Sequence, residues 1–353
     1  MKTIKSALCI LALSVIASGG RATVTLPPVI GPNMVLQSGE PVSLWGWAAV
    51  GEKVTITQGG VVVASVEGLG SGRTSKPWRA QLPAQKPGPV ADIEISGANV
   101  ITLTNVLAGD VWLCSGQSNM VKPLSKKVGY GGVVNEEQEL AAAPDNQIRF
   151  FQSGRWEVCT SSNAPRFSAV AFFFAQKLRA EVKVPMGILS LAAGGMPAEY
   201  FIPARMIEGN SELQAQRIKA KVVHDQIGPR GDAYGNAYKE MKVKAAAAKL
   251  KGEKGPPPPV NHLTPEESKA YDEASIMLHF GSIYDRIIKP VIPYNLKGFV
   301  WYQGEANAVR GEQYAHLMIT LIEGWREDWN IYRPIGYRFS CPPAGCISFR
   351  GSP

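Results

Sequence analysis

The stretch Gly109–Met120, GDVWLCSGQSNM, passes without interruption from apolar residues into small and polar ones. Its segment VWLC has the composition of a buried β-strand, and Gly116 follows as a residue that tolerates a tight turn. Ser118 comes next, between Gln117 and Asn119. A buried strand that ends in such a turn presents a side chain at the edge of its sheet. Ser118 is therefore the first candidate functional residue.

Strand-like apolar segments alternate with helical patterns along the rest of the chain. The segment Ser168–Val182 begins with a residue that favours the N-cap position, and the apolar segment after it ends in a pair of glycines. A second helical pattern begins at Thr264, where Pro265 and Glu267 complete a capping box, and it leads to the apolar segment FVWY. This alternation predicts βαβ units around a parallel sheet.

The first part of the chain has a different pattern. Residues 23–107 contain short runs of Val, Ile, Thr and Trp between Gly, Pro, Asn and Ser, which predict an all-β sandwich domain. We expect an α/β domain at 108–332 to follow it. A basic helical insertion at 208–260, closed by four consecutive prolines, interrupts the second domain, and an atypical tail spans 333–353.

The first 22 residues have the features of a secretory signal peptide. Lys2 and Lys5 precede an apolar run at 7–17, and small residues follow. The run is shorter than the ~20 residues that a transmembrane helix needs. The sequence therefore predicts a secreted or periplasmic protein with no membrane span.

Charge and cysteine spacing argue against several classes of partner. Without residues 1–22 the formal net charge falls from +8 to +5, and residues 205–254 by themselves carry +5. Because aromatic residues do not alternate with these basic ones in a base-stacking pattern, we interpret the segment as a solvated helix and expect no nucleic-acid partner. The cysteines at 114, 159, 341 and 346 show no C-x-x-C or Cys/His spacing, so no metal or cofactor is expected. The oligomeric state is not predicted.

Three predicted strand ends carry residues suited to acyl transfer. They are Ser118 after VWLCSGQ, Gly194 and Gly195 after ILSLAA, and Gln303, Gly304 and Glu305 after FVWY. In an open α/β sheet, ligands bind outside the carboxyl ends of the strands. A serine nucleophile needs a tight turn, a base, and N–H groups that face the developing oxyanion. The two glycine-containing loops could supply such N–H groups to Ser118.

Two motifs, GDVWLCSGQSNM and KGFVWYQGEANA, together with the segment Leu26–Ile56, resemble the sialate O-acetylesterase family of SGNH-type hydrolases. The resemblance extends from about Leu26 to Trp329. It implies a flavodoxin-like αβα sandwich preceded by a β domain, and hydrolysis of acetyl esters on sialic acid or related glycans. It also implies that Ser118 is the nucleophile. The implied oxyanion hole comprises the Ser118 N–H, Gly194 or Gly195, and Gln303 or Glu305, with Gly116, Gln117, Asn119 and Gly304 in support.

The chain departs from the family pattern at several points. Ala306 stands where serine is usual, and Met196 stands where threonine is usual. The family takes its base from an Asp-x-x-His motif near the C-terminus. None of the histidines at 224, 262, 279 and 316 follows an aspartate by three residues, so no base is assigned.

The tail suggests an explanation for the missing base. Prolines at 342 and 343 exclude a central strand there. One hypothesis is that the chain is truncated or frameshifted near Arg333. The other is a genuine hairpin closed by Cys341 and Cys346. Without a base, acetyl esters are expected to be hydrolysed poorly or not at all.

The sequence leaves one alternative function and disfavours two other classes. A glycan-binding protein with a degenerate esterase site remains the alternative. A nucleotide-binding protein is disfavoured because no strand is followed by G-x-G-x-x-G or a P-loop motif. A glycosidase would need two paired carboxylates, and only Asp110 and Glu305 lie in the candidate motifs. Asp110 is expected to open its strand, at the opposite end of the sheet from Ser118.

Overall fold

The structure is a computed structural model, and it describes residues 23–69, 76–330 and a strand at 346–350. The predicted signal peptide and Cys341 lie outside the described residues. The chain forms a mixed, mostly parallel sheet with helices on both faces, and antiparallel sheets precede it. The predicted α/β fold class with an N-terminal β region is therefore confirmed.

The N-terminal region consists of short antiparallel sheets around an apolar core. One pair joins β2 to β5, and a four-stranded sheet has the order β4-β3-β7-β8. Trp78, Leu44 and Ile56 are completely buried between them. The strands are β1 (Val35–Gln37), β2 (Val42–Ala48), β3 (Lys53–Gln58), β4 (Val61–Glu67), β5 (Lys76–Leu82), β6 (Gly88–Val90), β7 (Ile93–Ser96) and β8 (Val100–Leu103).

The strand that carries the opening motif, β9 (Val106–Gly116), is longer than expected. Its first residues pair with β1 and β6 of the N-terminal region. Its remaining residues pair with strands of the main sheet. The expectation that Asp110 opens this strand is wrong, because the strand begins four residues earlier to make the additional pairs with β1 and β6. One continuous strand thus belongs to both parts of the molecule.

The main sheet places β9 at its centre. Its strands run in the order β11-β10-β12-β9-β13-β14, in which β10, β12, β9 and β13 are parallel and the two outer strands are antiparallel. The strands added here are β10 (Asp145–Gln152), β11 (Arg155–Cys159), β12 (Met186–Ser190), β13 (Gly298–Tyr302) and β14 (Cys346–Arg350). Part of the tail thus forms an edge strand beside β13.

Alternate residues of β9 face opposite helical layers, as the two-residue period of a strand requires. Trp112 and Cys114 belong to a core cluster with Phe172 of α3. Val111 and Leu113 belong to the other cluster, with residues of α6. The helices of this part are α1 (Ser118–Val121), α2 (Glu136–Ala142), α3 (Ala169–Val182) and, later in the chain, α6 (Gly311–Asp328). The predicted N-cap is confirmed, because the Ser168 hydroxyl accepts a hydrogen bond from the Ala171 N–H.

The basic insertion forms α4 (Ser211–Leu250), a helix of 40 residues that packs along α5 (Pro265–Leu278). The capping box of Thr264 and Glu267 is present as predicted. Arg230 of α4 binds the Glu267 carboxylate at 2.6 Å, which joins the two helices at the start of α5. Over the ranges that the structure describes, no helix combines the length and apolar character needed to cross a bilayer.

Candidate active site

Ser118 is the first residue of α1 and lies directly beyond the carboxyl end of β9. The turn before it depends on Gly116, whose φ is +137°. A Cβ at this position would lie 2.1 Å from the carbonyl oxygen of Tyr302 on β13. Since no side chain fits there, the glycine allows β9 and β13 to remain paired up to the residue where the serine turn begins. Ser118 itself is half-buried.

The loop after β12 lies against the serine. The Ala193 N–H donates to the Gly116 carbonyl oxygen at 2.9 Å, which extends the β12–β9 contact into the loop. A Cβ on Gly194 would lie 3.9 Å from both Cα and Cβ of Ser118. Gly195 has a φ of +74°, which a glycine adopts without strain. The structure therefore brings the predicted glycine loop to the predicted nucleophile.

The loop after β13 is bound to the serine turn by two side chains. Gln117 is buried, and its Oε1 accepts hydrogen bonds from the N–H groups of Ala306 at 3.1 Å and Gly304 at 3.5 Å. Asn119 donates from Nδ2 to the Glu305 carboxylate. The residues on each side of Ser118 thus hold the 303–307 loop, and Glu305 faces Asn119.

Gln303 is buried and uses its amide within the protein. Its Nε2 donates to Asn307 Oδ1 at 2.7 Å and to the Met196 carbonyl oxygen at 3.3 Å. Both N–H protons are therefore engaged, and donation to an oxyanion would require one of these bonds to break. Among the described residues, Oε1 of Gln303 has no hydrogen-bond partner. In this arrangement Gln303 ties the 303–307 loop to the residue that follows Gly195.

A buried carboxylate, Glu199, ends this chain of hydrogen bonds. Glu199 is 3% exposed, accepts from Asn307 Nδ2 at 2.8 Å, and pairs with Arg310 at 3.2 Å. The Oδ1 of Asn307 also accepts from the Ala198 N–H at 2.9 Å. Sequence reasoning did not single out Glu199 or Asn307. Asn307 stands inside the motif KGFVWYQGEANA, and Glu199 follows Gly195 by four residues. In both places the available signal is a polar residue among small and apolar ones.

The orientation of these amides follows from Glu199. A carboxylate paired with a guanidinium only accepts hydrogen bonds, so Asn307 must present its NH₂ to Glu199 and its oxygen to Gln303. Gln303 must then donate to Asn307. The ion pair thereby fixes the direction of donation, which runs from Gln303 to Asn307 and from Asn307 to Glu199.

The four histidines lie elsewhere. His224 of α4 stacks on Tyr271 and lies 3.6 Å from an Asp232 oxygen, and Nδ1 of His279 lies 2.8 Å from the Ser275 carbonyl oxygen. The remaining two are His262, before α5, and His316, on α6. His316 lines a cavity of about 330 Å³ next to α4, which Glu199 also lines. None of these imidazoles contacts Ser118, so no histidine of the described residues is placed to act as its base.

The two described free cysteines of the main sheet lie on the central strand β9 and on the edge strand β11. Cys114 and Cys159 are buried free thiols, and burial raises the pKa of both. Within residues 23–69 and 76–330, no cluster of three or more His, Cys, Asp or Glu side chains is arranged to hold a metal ion. The groups near the serine are hydroxyl, amide, carboxylate and backbone N–H groups.

The chain is similar to known proteins in sequence and in structure. No family model matches the chain. The chain is 29% identical to the sialate O-acetylesterase of Rattus norvegicus, over 84% of this chain and 55% of the relative. It is 27% identical to the sialate O-acetylesterase of Homo sapiens, over 85% of this chain and 52% of that protein. The chain spans about half the length of the curated relatives it matches.

A solved structure shows the same architecture. A carbohydrate acetylesterase from Xanthomonas citri superposes with a TM-score of 0.60 and 25% sequence identity. The match covers 87% of this chain and 58% of that chain. The mostly parallel sheet and the preceding β region therefore recur in a protein of known structure.

Proposed function

We propose that this chain, a relative of the sialate O-acetylesterases, carries the nucleophile and oxyanion-binding loops of a carbohydrate acetylesterase, with Ser118 as the nucleophile. One observation supports this most strongly. Ser118 follows the central strand of a parallel sheet and lies against Gly194, at the edge where such sheets bind ligands. The names of the relatives point to an O-acetylated sialic acid or a related acetylated glycan as substrate.

The proposed reaction is acyl transfer in two steps. The Ser118 Oγ attacks the acetyl carbonyl carbon, and the carbonyl oxygen becomes an oxyanion. The N–H groups of Ser118 and of Gly194 or Gly195 donate to this oxyanion, and each such donor contributes about 3 kcal/mol in the transition state. The ester C–O bond then breaks, the sugar oxygen takes up the proton that left Ser118, and water hydrolyses the acetyl-serine to acetate and restores the serine hydroxyl.

The step that limits this chain is removal of the serine proton. The Ser118 hydroxyl stays protonated at neutral pH unless a base accepts its proton. None of the four histidines contacts it. Oxyanion donors and substrate binding by themselves leave a residual acceleration of about 10³–10⁴ over water. We therefore expect slow turnover by this chain.

The lack of a histidine contact to Ser118 also supports a second candidate function. A chain that binds acetylated glycans without efficient turnover would serve as a glycan-binding protein. Replacing Ser118 separates the two candidates, because acetate release requires its hydroxyl and glycan binding does not. For both candidates, the predicted signal peptide at 1–22 implies that the protein would meet its glycan outside the cytoplasm.

The decisive experiment measures acetate release from an O-acetylated sialic acid. We expect a low rate that disappears in Ser118→Ala and persists in Ser282→Ala, a control at an exposed serine. Acetate release that is equal in the Ser118→Ala variant and the unmodified chain would contradict the esterase proposal. Retained binding of the acetylated sugar by both, without any release, would favour the glycan-binding candidate.

A further inference from the structure

A tyrosine that the sequence analysis did not single out lies beside the proposed nucleophile. Tyr130 belongs to the segment between α1 and α2, and its hydroxyl donates to the Ser118 carbonyl oxygen at 3.1 Å. The same hydroxyl would lie 3.8 Å from a Cβ on Gly194. Tyr130, Ser118 and Gly194 therefore meet at one point, at the carboxyl edge of the sheet.

The segment that carries Tyr130 is anchored at both ends. The Glu136 carboxylate accepts from the Ser125 hydroxyl at 2.7 Å and from the Lys126 N–H at 2.9 Å. These bonds, the Lys126 N–H first, lower the pKa of Glu136, so the carboxylate remains an acceptor at neutral pH. The Gly132 N–H donates to the Pro123 carbonyl oxygen at 3.0 Å. The backbone around Tyr130 is thus folded back on itself and held in place.

The ring of Tyr130 is open to solvent although its hydroxyl is held. The residue is 60% exposed, although its hydroxyl donates a hydrogen bond. A tyrosine side chain has only two rotatable bonds, so a ring fixed at its tip presents its apolar surface at little entropic cost. The hydroxyl end of this exposed ring lies next to Ser118 and Gly194.

We propose that Tyr130 is a platform for the sugar ring that bears the acetyl ester. The proposal rests on the proposed function of Ser118. A pyranose ring has an apolar C–H face that packs on an aromatic surface, and its hydroxyls remain free to bind water or polar side chains. With the sugar on Tyr130, its acetyl group can extend toward Ser118 and Gly194. The residue then determines the substrate class, a ring sugar in preference to a small acetate ester.

A purely structural role makes a different prediction. If Tyr130 only tethers the Ser118 carbonyl oxygen, removal of its hydroxyl is as harmful as removal of the whole side chain. If the ring binds sugar, Tyr130→Phe keeps the platform and Tyr130→Ala removes it. The two variants therefore separate the tether from the platform.

The test measures binding in a Ser118→Ala background, so that turnover plays no part. Saturation-transfer NMR would give Kd values for an O-acetylated sialic acid, an O-acetylated neutral hexose and methyl acetate. We expect Tyr130→Ala to raise Kd for one or both sugars about tenfold, in line with the truncation of an aromatic anchor at an interface. Tyr130→Phe should change it less than about twofold. Tyr238→Ala, at a partly exposed tyrosine on α4, is the matched control.

The outcomes also separate this proposal from the proposed function. If Tyr130→Ala raises Kd for the sialic acid and not for the hexose, the acidic sugar is the ligand of the platform. If it raises Kd for the hexose and not for the sialic acid, the neutral sugar is the ligand. The platform proposal would be overturned by any of three results. These are an equal loss of sugar affinity in Tyr130→Phe and Tyr130→Ala, no loss of sugar affinity in Tyr130→Ala, or no sugar binding at all. Sugar binding that depends on Tyr130, with no acetate release that depends on Ser118, would overturn the esterase and leave the platform standing.

Discussion

Gln117 and Ala306 are joined by a hydrogen bond in which the Ala306 N–H donates to Gln117 Oε1 at 3.1 Å. The two residues are 189 positions apart in the sequence, and the bond connects the serine turn to the loop after β13. Gln117 is 4% exposed, so its amide has little access to water as an alternative partner. The position of the 303–307 loop therefore depends on the residue that precedes the proposed nucleophile.

Gln117→Leu tests this connection. The substitution keeps the approximate volume of the side chain but removes the acceptor, so the Ala306 N–H loses its partner. We expect a loss of about 1–3 kcal/mol in the free energy of unfolding, measured by urea denaturation. Gln138→Leu, at an exposed glutamine of α2, should change it by less than about 0.5 kcal/mol. Equal stability of the two variants would show that the bond contributes nothing.

Gly116→Ala tests the close approach of β9 and β13. A methyl group would lie 2.1 Å from the Tyr302 carbonyl oxygen, and φ of +137° adds strain. The strands must separate, so we expect a loss of more than about 3 kcal/mol or no soluble protein.

Gly39→Ala is the matched control for this substitution. Gly39 also has a positive φ, +84°, but a Cβ there meets nothing within 4 Å. The Gly39→Ala variant should lose only about 1 kcal/mol in the free energy of unfolding, because backbone strain is its only cost. Similar losses at both positions, in thermal and urea denaturation, would contradict the packing argument.

Glu199→Ala tests the buried ion pair. The change leaves the Arg310 guanidinium, whose side chain is 17% exposed, without its partner, and it frees Asn307 to rotate. We expect a loss of about 3 kcal/mol in unfolding free energy. Because Asn307 orients Gln303, acetate release should fall as well.

The exposed pair of Arg205 and Glu327 provides the comparison. Their side chains are 40% and 53% exposed, so water already solvates both charges. Glu327→Ala should change stability by less than about 1 kcal/mol. If Glu199→Ala lowers the free energy of unfolding by as little as Glu327→Ala does, the Arg310 guanidinium must bind water or another acceptor in the variant.

The buried thiols predict a dependence on pH. Burial raises the pKa of Cys159 from 9.0 to about 11, so the folded chain keeps the proton after the unfolded chain has lost it. Stability from this group is complete below pH 9 and is lost as the pH rises from 9 to 11. Urea denaturation at pH 8 and pH 10.5 should show a smaller decrease in Cys159→Ala than in the unmodified chain.

Thiol labelling provides an independent reading of the same environment. With iodoacetamide at pH 8, followed by peptide mass spectrometry, Cys114 and Cys159 should remain unmodified in the folded chain. Both should react after unfolding in guanidinium chloride. Labelling of either cysteine under native conditions would contradict the buried, protonated state.

Local sequence patterns were sufficient for much of the fold. The alternation of strands and helices predicted the α/β class, and the capping residues Ser168 and Thr264 marked two helix starts. The serine turn could also be predicted, because an apolar strand followed by Gly116 and Ser118 is a local signal. The beginning of β9 could not be predicted in this way. Its first residues form a strand because they pair with β1 and β6, which belong to a different part of the chain.

The sequence by itself determined which residue types stand at the ends of the parallel strands, and hence Ser118 and its glycine loop as candidates. Only the tertiary structure decided how the amides beside them are used. Gln303 is an N–H donor to Met196 and Asn307 because Glu199, paired with Arg310, accepts from Asn307. The residues from 196 to 199 and from 303 to 310 are about a hundred positions apart, and hydrogen-bond direction is set by whichever partner burial brings into contact.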